Sequence, residues 1–153
     1  MNRVMFAQGN TLLLMPFVQN YVHFVWATWD RRDTIEARWE ADLYAELRAE
    51  CVRLKCLVRA LNGIENHVHL LVDLPATIAI AEAIKQIKGA SSLFVNDQLA
   101  PAEKFKWQHE YAAFSVSHWD VNKIRRYIER QKEHHARGTT IERLELPPLE
   151  QMR

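Results

Sequence analysis

Two histidines, His67 and His69, stand one residue apart in the run HVHLLVDL. Side chains in a strand alternate between faces, so both imidazoles project the same way, about 7 Å apart. On a rigid strand they can converge on one divalent cation. A pair of ordinary surface histidines shows the same spacing, and the residues alone leave both readings open. Tyr127 and Gln131 are the second pair. Their i, i+4 spacing stacks them on one helix face. A tyrosine hydroxyl is a weak nucleophile while protonated, with an ordinary pKa near 10. A metal or nearby cations favour the phenolate, and a metal also polarises a phosphodiester. Gln131 can lend such a metal its amide oxygen. A tyrosine packed against a sheet is the competing reading.

Charge adds a third feature. The segment from Lys123 to Lys132 holds five basic residues, Arg125, Arg126 and Arg130 among them, against one acidic residue, Glu129. Such a field can hold phosphates, although a solvated helix face has the same composition. Lys88, Ser91 and Ser92 form a smaller group that could meet a nucleic-acid backbone, beside the plainer reading of a helix surface with a glycine at Gly89. The whole chain is nearly neutral, with 20 Lys and Arg against 19 Asp and Glu over 153 residues. Non-specific coating of nucleic acid is therefore excluded, and a nucleic-acid partner must be met by local positive charge.

The elements that must position these groups follow from periodicity. YVHFVWATW, from Tyr21 to Trp29, reads as a strand with large residues on both faces, hence central and covered on both sides. Trp39, Leu43, Leu47, Cys51 and Leu54 make one apolar stripe and predict a helix from about Glu36 to Lys55. Leu57 to Leu61 predicts a strand, followed by turn chemistry at Asn62-Gly63 and Glu65-Asn66 and by the histidine strand. A second helix is expected from Ile78 to Asp97, with Thr77 as N-cap and Ile80, Ala81, Ile84 and Ile87 inside. Tyr111 to Val116 is the fourth strand. Ser117 or Asp120 caps a last helix from Val121 to Ala136, which Gly138 stops. The first sixteen residues read as irregular.

The order β-α-β-β-α-β-α predicts an α+β fold of the ferredoxin-like, split βαβ kind. Its antiparallel sheet should carry helices on one face, plus a C-terminal helix bearing the tyrosine. Residues 1–138 are expected to form one domain, and 139–153, with Pro147-Pro148, a tail or docking arm. Cys51 and Cys56 make no CxxC pair, and two free thiols suit a reducing cytoplasm. The apolar stretch from Leu12 to Phe17 is too short to span a bilayer. A cytoplasmic protein without a membrane partner is expected. Most of Trp26, Trp29, Trp107, Tyr111 and Trp119 read as core, with base stacking as the alternative.

Taken in order, YVHFVWATWDRR, NHVHLLV at 66–72, IKQIKGASS at 84–92, YAAFSVS at 111–117 and IRRYIERQKEHH at 124–135 resemble the single-tyrosine HUH transposases of the IS200/IS605 type, including relatives associated with repetitive extragenic palindromes. The resemblance runs from about Tyr21 to His135. It implies that His67, His69 and Gln131 bind Mg²⁺ or Mn²⁺ and that Tyr127 is the nucleophile. It implies cleavage and rejoining of single-stranded DNA, at hairpins, through a 5′-phosphotyrosine, by a homodimer. A hairpin-binding regulator derived from such an enzyme is the alternative. Glu65 departs from the pattern, standing where many relatives have proline. The tail after Gly138 carries no motif of the family.

Overall fold

The computed structural model describes residues 17–152 and, ahead of them, Met5–Phe6 (β1) and Leu12–Leu13 (β2). These two short strands pair antiparallel. The rest of the segment expected to be irregular lies outside the described residues. The main sheet has four strands: Tyr21–Ala27 (β3), Leu57–Ile64 (β4), His67–Asp73 (β5) and Ala112–Val116 (β6). Their order is β4-β5-β3-β6, antiparallel throughout. This is the split βαβ arrangement, with β5 inserted between the two strands that the first helix connects. Every residue of β3 is buried, as a central strand covered on both faces requires.

Two helices, Glu40–Arg53 (α1) and Ile80–Gln98 (α2), cover one face. Beneath them Phe24, Trp26, Leu70 and Val72 of the sheet meet Leu43, Leu47, Ile84 and Ile87. Val121–Glu129 (α3) and Gln131–Arg137 (α4) take the other face. There Ile124 and Ile128 pack on Tyr21, Ala60 and Leu71. The central sheet is thus a rigid plate between two apolar layers, and the histidines stand on its second face.

Several local expectations change. The first helix begins at Glu40, because residues 36–39 form a turn closed on the Glu36 carbonyl. Ala79 rather than Thr77 occupies the N-cap of α2, and Ile80 and Ala81 are exposed while Ala83, Ser91 and Val95 join the buried side. Ser117 accepts from the Trp119 N–H and so caps a short 3-10 turn, His118–Asp120, ahead of α3. The last helix is broken at Arg130, whose φ of −104° and ψ of 18° separate α3 from α4. Gly138 ends α4 at φ 64°, as its position predicts.

Asn62-Gly63 lies inside β4, and Glu65-Asn66 alone makes the hairpin turn. Gly63 is required by crowding. A β-carbon there would lie 2.2 Å from the His67 carbonyl oxygen and 3.0 Å from Val68 Cα. Gly63→Ala must therefore push the two strands apart beside the histidines. We expect a stability loss of about 1–3 kcal/mol, the usual penalty of overpacking, measured by urea denaturation.

Candidate active site

His67 and His69 stand opposite Ala27 and Val25 of β3 and project from the same face of the sheet. Their orientation is set by partners at the outer ring nitrogens. The Asn66 amide donates through Nδ2 to Asp33 Oδ1 at 2.9 Å, which turns its Oδ1 toward the His67 ring. That oxygen lies 2.8 Å from His67 Nδ1. An amide oxygen only accepts, so His67 carries a proton on Nδ1 and turns Nε2 toward the site. His69 is fully buried. Its Nδ1 lies 2.9 Å from His23 Nε2, and burial keeps its pKa below the ordinary value.

Facing both rings is Glu145, which the sequence reading did not assign. It follows a 3-10 turn, Glu142–Leu144, in the tail. Three contacts hold that tail down. Ile141 donates its N–H to the Tyr127 hydroxyl at 3.0 Å. Leu144 packs on the apolar layer under α3. Arg31 donates to the Pro147 carbonyl. Glu145 Oε2 then lies 3.1 Å from His69 Nε2 and 3.4 Å from His67 Nε2. Burial would raise its pKa, but the histidines and the Tyr127 phenol outweigh that and hold it well below the usual carboxylate range.

Tyr127 is 5% exposed and its hydroxyl donates to Glu145 Oε1. Burial and the adjacent carboxylate push its pKa up to about 12, so the phenol is protonated in this arrangement. His134 stacks on its ring at 4.8 Å between centroids. Gln131 is fully buried at the start of α4. Its Nε2 reaches toward Glu145 Oε1 at 3.5 Å, and its Oε1 has no hydrogen-bond partner among the described residues. His135 completes the group, with its ring 4.9 Å from that of His67 and its Nε2 3.8 Å from Glu145 Oε2.

The donors suit a divalent cation. Ligand atoms of His67, His69 and Glu145 lie within 4.8 Å of one another. Among the described residues, His67 Nε2, Gln131 Oε1 and His135 Nε2 are buried without hydrogen-bond partners. Imidazole nitrogens facing a carboxylate oxygen call for positive charge between them, which a proton or a divalent ion supplies. Beside these groups lies a cleft of about 280 Å³, lined by Arg31, Asn66, His67, His135 and Glu145.

The basic residues divide. Lys123, Arg126 and Arg130 line a cavity of about 350 Å³ against Tyr127 and His134. Arg125 is instead paired with Glu129 at 3.3 Å on the helix surface. Lys88, Ser91 and Ser92 are not brought to this site, since α2 lies on the opposite face of the sheet. Lys88 Nζ donates to the carbonyls of Gln108 and His109 at 2.6 and 2.8 Å, and burial lowers its pKa to about 8. Ser91 is fully buried, donating to the Ile87 carbonyl and accepting from Trp107 Nε1. Ser92 closes on the Gly89 carbonyl at 3.2 Å. Lys88 and Ser91 are thus hydrogen-bonded within the fold. Trp26 and Trp107 belong to the core, whereas Trp119 is 89% exposed.

The model of the family described as "Transposase IS200 like" matches residues 17–131. No curated protein matches the chain significantly. Among solved structures, a protein described as a transposase from Deinococcus radiodurans R1 is 26% identical, with a TM-score of 0.58 over 76% of this chain and 95% of that one. A REP-associated tyrosine transposase bound to a REP hairpin is 14% identical, with a TM-score of 0.60 over 80% of this chain and 70% of that one, a likeness of fold. Among the described residues no helix is long and apolar enough to cross a membrane. The matched segment takes in the whole four-stranded sheet, both histidines, Tyr127 and Gln131, and on that match the chain belongs to the IS200-like transposase family.

Proposed function

We propose that this chain is a metal-dependent, single-tyrosine HUH transposase that cleaves and rejoins single-stranded DNA at hairpins. The observation that carries the reading is the meeting of Tyr127 with the buried donors His67, His69, Gln131 and Glu145. A divalent ion, Mg²⁺ or Mn²⁺, would be held by His67, His69 and Glu145, with Gln131 Oε1 as a further donor. Bound there, it supplies Lewis acidity at the scissile phosphate. Arg126, Arg130 and Lys123 hold the DNA backbone in the cavity beside Tyr127. The Tyr127 oxygen attacks phosphorus while Glu145 Oε1, already its hydrogen-bond acceptor, relays its proton. The new bond joins that oxygen to phosphorus, and the bond from phosphorus to the 3′-oxygen breaks. The 3′-oxygen leaves as a hydroxyl, taking the proton that Glu145 relays from Tyr127. Attack by another strand's 3′-hydroxyl reverses the step, so the phosphotyrosine conserves the bond energy and no nucleotide is consumed. The REP-associated transposase of similar fold is bound to a hairpin, which supports hairpin DNA as the substrate.

The test is incubation with labelled single-stranded hairpins from the gene's own flanks, followed by a denaturing gel. A covalent adduct with Mn²⁺ and none with EDTA is the expected result. Tight hairpin binding without adduct would favour the regulator reading. The burial of the Tyr127 hydroxyl between Glu145 and the Ile141 N–H is the observation on that side. Within one chain the tyrosine and the donors lie together, which supports a site used in cis rather than one shared between the subunits of the expected homodimer. A mixture of His67→Ala and Tyr127→Phe chains should accordingly stay inactive. Recovered adduct would instead mean that subunits share sites.

A further inference from the structure

His23 is a fully buried polar residue in the middle of the sheet, and the reaction above gives it no role. It lies diagonally across from His69, since its register partner on β5 is Leu71. Its Nε2 is 2.9 Å from His69 Nδ1, and the two rings stack with centroids 5.2 Å apart. Phe114 closes the far side at 5.6 Å. The His23 ring is thus wedged between His69 and Phe114. Its Nδ1 is buried with no hydrogen-bond partner among the described residues, an arrangement that packing alone would not favour over a leucine or phenylalanine.

We infer that His23 is a positioning residue for the metal site, holding the His69 ring so that Nε2 faces the cation. The inference rests on the metal reading above. A histidine that binds a cation through Nε2 must carry its proton on Nδ1, and that N–H needs an acceptor. For His67 the acceptor is Asn66 Oδ1. For His69 the one group at hydrogen-bond distance from Nδ1 among the described residues is His23 Nε2. Accepting there leaves the His23 proton on its own Nδ1.

Without a cation the directions reverse. His69 Nε2–H donates to Glu145 Oε2, and His69 Nδ1 accepts from His23 Nε2–H. Each imidazole carries one proton in both states, so binding flips both tautomers and releases no proton from the pair. A residue that only packed would produce no such signature.

Mn²⁺ binding is measured by electron paramagnetic resonance for wild type, His23→Leu, His23→Gln and His67→Ala. Glutamine places an amide oxygen where His23 Nε2 stands and can accept from His69 Nδ1–H. Leucine should weaken Mn²⁺ binding about 10–100-fold, and glutamine should restore most of it. In parallel, ¹⁵N spectra of the histidines in wild type are followed with Mg²⁺. They should show the His69 proton on Nδ1 in the bound form and on Nε2 in its absence. Unchanged affinity in His23→Leu, equal losses in the leucine and glutamine variants, or a bare His69 Nδ1 in the bound form overturns the inference. If wild type binds no Mn²⁺, or His67→Ala binds it as well as wild type, the metal reading falls and takes this one with it.

Discussion

Tyr127→Phe is expected to abolish the covalent DNA adduct, with a fall in cleavage rate of at least ~1,000-fold, or ~4 kcal/mol in the barrier. The substitution removes one oxygen and keeps the ring that stacks on His134. The four proposed metal donors are untouched, so Mn²⁺ affinity should stay close to that of wild type. That contrast separates loss of the nucleophile from loss of the site. The missing hydroxyl has a structural cost as well. It donates to Glu145 Oε1 and accepts from the Ile141 N–H, both of which lose a partner. Unsatisfied groups of this kind cost about 1–3 kcal/mol where they are buried. The tail should therefore loosen, read as faster amide exchange at Ile141 in the variant than in wild type. An adduct that survives in Tyr127→Phe would place the nucleophile on another residue and end the single-tyrosine reading.

The sheet was legible in the sequence because its signals are local. A strand buried on both faces must be apolar throughout, and Tyr21–Ala27 is. The histidine strand alternates site-facing His67 and His69 with core-facing Val68 and Leu70, which a period of two reveals. The break at Arg130 was not legible, since Arg130 is a good helix former and the stretch around it reads as one continuous amphipathic helix. What decides it is tertiary. Asn62 donates to the Glu129 carbonyl at 3.0 Å, and Lys132 donates to the Gly63 carbonyl at 2.8 Å. These contacts tie the end of α3 and the start of α4 separately to β4. His23 and Glu145 were missed for a related reason. His23 sits in a run where every position is apolar or aromatic, so its imidazole looks like part of the core. Glu145 lies 18 residues beyond Tyr127, where spacing rules no longer apply. One signal was available: an acid bracketed by Leu144 and Leu146 just before Pro147-Pro148 suits an extended arm whose flanking side chains pack down.

Glu145→Gln carries the second large effect. Among the proposed donors Glu145 is the only anion, since His67, His69 and Gln131 bind a cation as neutral groups. Glutamine keeps the length and one oxygen but removes the charge that offsets two positive charges in a buried site. Mn²⁺ affinity should fall by at least about tenfold, or ~1.4 kcal/mol, and adduct formation at limiting metal should fall with it. Raising the metal concentration should recover binding but only part of the rate, because Oε1 is also the acceptor of the Tyr127 proton and an amide oxygen is a far weaker base. The outcome also fixes what the tail is for. Its route, held by Ile141, Leu144 and Pro147, ends with the carboxylate between the histidines and the phenol. If that carboxylate supplies a donor and a base, the variant loses metal and rate together. If adduct yield rises in Glu145→Gln while metal binding holds, the carboxylate stands where the scissile phosphate must enter, and the tail restrains the enzyme.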